Sequence, residues 1–161
     1  MRALLDAGAD KDHADNDGLA PLFIAAQHGH GAVVHTLLDA GADKDRAIYD
    51  GATPLYIAAE EGHDAITRAL LGAGADKDLA MDNGATPLFI AAGNGHGTIV
   101  RTLLDAGADK DLAMNDGATP LYTAAAYGHD AIVRALLDAG ADKHLAMNDG
   151  CTPLYLSLIH I

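Results

Sequence analysis

Apolar residues along this chain fall at helical spacing over short stretches, each stopped by glycine. Between Asp64 and Leu71, the residues Ile66, Leu70 and Leu71 share one helix face, and Gly74 ends the run. Ahead of it, Thr53-Pro54-Leu55 opens a shorter helix. Threonine can cap the free N–H groups of a first turn, and proline brings a fixed φ to the first helical position. That helix passes through Ala58-Ala59 and stops at Gly62. The polar stretch from Ala75-Asp76-Lys77-Asp78 to Asn83-Gly84 predicts a hairpin-like loop projecting from the helix pair.

The same pattern returns at a constant interval, marked by Gly18, Gly51, Gly84, Gly117 and Gly150, 33 residues apart. Four complete units occupy 15–47, 48–80, 81–113 and 114–146, with a half unit at 1–14 and another at 147–155. No linker interrupts them, so 1–155 reads as a single array. One short helix pair cannot bury its apolar face alone, whereas stacked pairs bury it against each other. The expected fold is an all-α solenoid.

The recurring text includes Gly-Ala-Thr-Pro-Leu at 84–88, Ala91-Ala92, Gly95-His96, and Leu103-Leu104-Asp105-Ala106-Gly107-Ala108-Asp109. It resembles the ankyrin repeat from residue 1 to about 155. The resemblance implies an ankyrin-type stack of helix-turn-helix units with hairpin-like loops, used to bind another protein. Three departures stand out. Where the family has His after Thr-Pro-Leu, this chain has Phe23, Tyr56, Phe89, Tyr122 and Tyr155. The loops are more charged than usual, with Lys44-Asp45, Lys77-Asp78 and Lys110-Asp111. Ala20 replaces the capping threonine of the first full unit. The opening Arg2-Ala3-Leu4-Leu5 aligns with Arg68-Ala69-Leu70-Leu71, as in a fragment of a longer array. The last six residues, 156–161, leave the pattern and translate CTG TCT CTT ATA CAC ATC, which looks like a transposon end used to prepare sequencing libraries. They are set aside as a suspected adaptor artefact.

Half of the 161 residues are apolar, yet only five Tyr and two Phe occur, so the core must be built from small side chains. The formal charge of -13 disfavours nucleic acid and anionic membrane as partners and favours a neutral or basic protein. A single cysteine, Cys151, permits no intrachain disulfide and fits a reducing, cytoplasmic setting. No run of about 18 apolar residues offers a membrane span. Nothing in the pattern speaks for a homo-oligomer.

Catalytic and cofactor chemistry lacks its parts. The only serine, Ser157, lies in the excluded tail. Gly93-Asn94-Gly95-His96-Gly97 joins two helices and does not follow a strand, so it is no dinucleotide fingerprint. His30, His63, His96 and His129 form a column, one per unit. Stacked helices sit ~8–10 Å apart, too far for column neighbours to share a zinc, whose nitrogen ligands lie near 2 Å. The resemblance implies instead that these histidines anchor the turn between helices. His28 and His35 lie near His30 in one unit only, the one place where an adventitious metal could sit. Asp10, Asp12, Asp15 and Asp17 precede Gly18 as in a calcium loop, but that loop's first and twelfth positions would be His13 and Ile24, which rules it out. The pairs Asp43/Asp45, Asp76/Asp78 and Asp109/Asp111 recur with Lys between them and read as solvated loop charges that aid solubility. Cys151 stands where other units have Ala52, Ala85 and Ala118, and the aromatic column reads as packing. The chain is therefore not expected to be an enzyme, nor to hold a metal or cofactor.

Positions that repeat hold a stack together, and those that vary are open to a partner. Variation falls at the loop tip (Asn16, Tyr49, Asp82, Asn115) and at the end of the first helix (Gln27/His28, Glu60/Glu61, Gly93/Asn94, Ala126/Tyr127). Family resemblance puts both sets on the concave face. The expected partner-binding residues are Gln27, His28, Tyr49, Glu60, Glu61, Asp82, Asn94, Asn115 and Tyr127, with Tyr49 and Tyr127 as aromatic anchors. The alternative is a passive spacer or a regulatory segment of a larger enzyme or channel.

Overall fold

The computed structural model describes residues 2–154, and the reading of 156–161 lies outside them. Among the described residues there are helices and no strands. After the short α1 (Arg2–Asp6) come four pairs: α2 (Pro21–Gln27) with α3 (Gly31–Asp39), α4 (Pro54–Glu60) with α5 (Asp64–Gly72), α6 (Pro87–Gly93) with α7 (Gly97–Asp105), and α8 (Pro120–Ala126) with α9 (Asp130–Asp138). The first helices of the pairs stack on one another as one layer and the second helices as another. The first-helix layer is the more closely packed. Its facing side chains explain this, since Ala58, Ala59, Ala91 and Ala92 are fully buried and let the backbones approach. The second layer meets through the bulkier Ile66, Ile99 and Ile132.

Each first helix begins as its sequence predicts. Thr53, Thr86 and Thr119 are extended and accept from the N–H of Tyr56, Phe89 and Tyr122 at 3.2 Å. These threonines are about 1% exposed, so the hydroxyl, not water, satisfies the donor. Ala20 has the same extended backbone and no side-chain cap. Ala20→Thr is therefore expected to add about 1 kcal/mol and raise the melting temperature by roughly 2–4 °C in a thermal scan. An unchanged or lower value would show that the site cannot use the cap.

The aromatic column is packed as expected. Phe23 and Tyr56 are buried, Phe89 and Tyr122 are half-buried, and Tyr155 lies outside the described residues.

The Asp-Lys-Asp motif corrects its sequence reading. One oxygen of Asp12, Asp45, Asp78 and Asp111 accepts from the backbone N–H of Asp43, Asp76, Asp109 and Asp142, one repeat later, at 2.8–2.9 Å. The other oxygen faces the adjacent lysine, at 3.0 Å in Lys77–Asp78 and 3.1 Å in Lys11–Asp12. Burial opposes the charge on Asp12, yet the Asp43 N–H and Lys11 outweigh it and hold the carboxyl below its ordinary range. These carboxylates are therefore rungs between repeats, not merely solvated charges. Hydrogen bonds to a charged acceptor are roughly twice as strong as neutral ones.

A second set of rungs joins the loop tips. Within one loop, Met81 N–H donates to Ala85 and Gly84 N–H to Met81. Between loops, the N–H groups of Asp82, Asn115 and Asn148 donate to the carbonyls of Asp50, Asn83 and Asp116 at 2.9 Å. Gly84 sits at φ +88°, and a Cβ there would come within 2.9 Å of Met114 Cα. Only glycine lets the loops approach this closely.

Candidate functional site

The histidine column sits at the start of the second helices, and its hydrogen bonds cross to the preceding repeat. Nε2 of His63, His96 and His129 lies 3.1, 3.0 and 2.9 Å from the carbonyls of Gln27, Glu60 and Gly93. A carbonyl accepts only, so Nε2 is the donor in each bond. Those carbonyls close α2, α4 and α6, where the helix leaves acceptors unpaired. The column thus anchors one helix end to the next repeat, a longer reach than the turn expected from sequence. No group of three or more His, Cys, Asp or Glu converges as a metal site among the described residues. His28 and His30 are exposed, with ring centroids 6.0 Å apart.

The variable positions form two rows. Along the ends of the first helices run Gln27 and His28, Glu60 and Glu61, Gly93 and Asn94, then Tyr127. Along the loop tips run Tyr49, Asp82 and Asn115. Of these, Gln27 and Glu60 are half-buried, and His28, Tyr49, Glu61, Asp82, Asn94, Asn115 and Tyr127 are exposed. Several also tie the stack together, which the sequence did not reveal. Asn94 Nδ2 donates to the Glu60 carbonyl at 3.0 Å, and Asn115 Nδ2 to the Asp82 carbonyl at 3.0 Å. Tyr127 lies against Gly93, with its ring 6.4 Å from that of His129.

The two rows meet electrostatically in the second full repeat. Burial raises the Glu60 carboxyl, and the charges of Glu61 and Asp50 raise it further. Tyr56 is pushed up to about 12, by burial first and then by Glu60 and Asp50. Cys151 is the opposite of an activated thiol. It is hydrogen-bonded to Asp149, which raises it together with burial, whereas a nucleophile needs its thiolate favoured.

The family model described as ankyrin repeats (3 copies) matches residues 1–81, 40–114, 68–147 and 111–160. The chain belongs to the ankyrin repeat family. No curated protein matches it. Ankyrin repeats are in general protein–protein interaction modules and are typically non-catalytic. In this ankyrin array, no helix among the described residues is long and apolar enough to cross a membrane. The Thr-Pro-Leu segment keeps its capping role although the histidine that usually follows is aromatic here.

Proposed function

We propose that this ankyrin array binds a neutral or basic protein segment along the concave face formed by the first-helix ends and loop tips. The observation that supports this best is the set of Asp50, Glu60 and Glu61, in which burial first, and then the charges of Glu61 and Asp50, raise the Glu60 carboxyl. None of them has a cation within 4.0 Å among the described residues. The ion pairs there all belong to Lys11, Lys44, Lys77 and Lys110 on the Asp-Lys-Asp rungs. An incoming lysine or arginine relieves this like-charge repulsion, and long-range attraction of that kind weakens with salt. Tyr49 and Tyr127 are 79% and 70% exposed and supply the apolar contacts.

Selection of a random peptide-display library on the immobilised chain at low salt is expected to enrich lysine- and arginine-containing sequences. Their affinity should drop severalfold in Glu60→Gln/Glu61→Gln and in Tyr49→Ala/Tyr127→Ala. No enrichment of basic peptides, or binding unchanged by both double variants, would refute the placement.

A further inference from the structure

Five asparagines lie along the chain, and two of them, Asn83 and Asn94, precede a glycine. Asparagine is thermolabile, because the next backbone nitrogen can attack its side-chain carbonyl. A glycine in that place, with no Cβ, lets the nitrogen approach. The two Asn-Gly peptide groups differ in what holds them. At Asn83-Gly84 both ends of the group are engaged, with Gly84 N–H donating to Met81 at 2.8 Å and the Asn83 carbonyl accepting from Asn115 N–H at 2.9 Å. The Asn83 side chain is engaged too, its Oδ1 accepting from Ala85 N–H at 2.9 Å. At Asn94-Gly95 neither the Gly95 N–H nor the Asn94 carbonyl makes a hydrogen bond among the described residues. In the matching turns the glycine N–H reaches a carbonyl only at 3.4 Å (Gly29) and 3.2 Å (Gly128). Asn94 and Gly95 are both exposed to water.

Asn94 closes α6 with ψ −1°, and Gly95 follows at φ +79°. Attack requires the peptide group between them to turn. Gly95 tolerates either sign of φ. The turn also breaks no hydrogen bond, because the anchors on either side, Asn94 N–H to Ile90 and His96 N–H to Ala91, lie outside that group. We propose that Asn94 is a self-modification site, where the chain deamidates itself with water as the only co-reactant. The Gly95 nitrogen gives up its proton and bonds to Asn94 Cγ, the Cγ–Nδ2 bond breaks, and Nδ2 departs with a proton as ammonia. Water then opens the imide at either carbonyl and leaves aspartate or isoaspartate, with nothing oxidised or reduced. The departing Nδ2 is the donor to the Glu60 carbonyl at 3.0 Å, so one tie between repeats is lost and a negative charge appears beside Glu60. A modification that changes charge acts through just such local hydrogen bonds and repulsions. The chemistry is independent of the reading that this row binds a basic segment.

The test is to hold the full chain in mildly alkaline buffer at physiological temperature, folded and in urea, and to follow both sites by mass spectrometry. Trypsin releases 78–101 as one peptide that carries Asn83 and Asn94, so fragmentation compares the two sites within one molecule. In the folded chain Asn94 is expected to convert about tenfold or more faster than Asn83, where two hydrogen bonds must break first. In urea the two rates should approach each other. Isoaspartate should accumulate at 94 together with aspartate, the mark of the imide intermediate. Asn94→Gln, which keeps the carboxamide on a longer arm, should abolish the change at 94 and leave the rate at Asn83 as it was. Asn83 converting as fast as Asn94 in the folded chain, or a ratio that urea does not alter, overturns the proposal. So does aspartate at 94 without isoaspartate, or no conversion there at all.

Discussion

Replacing Gly84 with alanine is expected to destabilise the array by about 2–5 kcal/mol. Two costs add. An L-residue at φ +88° costs about 1–2 kcal/mol. The new methyl would also lie 2.9 Å from Met114 Cα and 3.1 Å from Asn115 N, which are backbone atoms that cannot rotate aside. Relief requires the loop tips to part, stretching the bond from Asn115 N–H to Asn83, and overpacking of this kind costs about 1–3 kcal/mol. Gly128→Ala is the matched control. It has φ +72° and nothing within 4 Å of its would-be Cβ, so only the backbone cost of about 1–2 kcal/mol remains. Urea denaturation of both variants measures the difference. Equal losses would mean that the loop contact contributes nothing beyond conformation.

Leu88→Ala is expected to cost about 2–5 kcal/mol, the range for deleting a buried leucine and leaving a cavity. Leu88 is 1% exposed in α6, between α4 and α8, so both neighbouring repeats lose contacts. Leu154 occupies the same repeat position but is 68% exposed, and Leu154→Ala should stay within about 0.5 kcal/mol. Because a solenoid is coupled only through nearest neighbours, the Leu88 cavity should also loosen one half of the array from the other. Native-state hydrogen exchange reads this as faster exchange of amides in α6 and α8 than in α3. A single uniform drop in protection would argue that the stack unfolds as one block.

Repeat length, helix pairs and threonine caps were all legible in the sequence, because each is written inside one unit. Ala20 could be singled out for the same reason, since its neighbours in register are Thr53, Thr86 and Thr119. The bonds between units were not legible. They span 31 to 36 positions, and a reading that aligns units as equals cannot see which unit donates to which. Asp45 and Asp78 therefore read as surface charge, although their unchanging place beside a lysine in each loop was a signal of structural duty. Variation was a mixed guide for the candidate site. It singled out Tyr49 and Tyr127, the two most exposed aromatics among the described residues, and equally Asn94 and Asn115, whose amides tie adjacent repeats.

All the hydrogen bonds described above that cross a joint run the same way, with the donor on the later repeat and the acceptor on the earlier one. The imidazole N–H groups, the amide N–H groups of both loop ladders and the asparagine carboxamides all obey this. The stack is therefore a one-way polymer. Each repeat shows acceptors to its successor and donors to its predecessor, so two like ends brought face to face would set donor against donor or carbonyl against carboxylate. Only another unit in the same orientation can continue the stack, whether it comes from the same chain or from a different one.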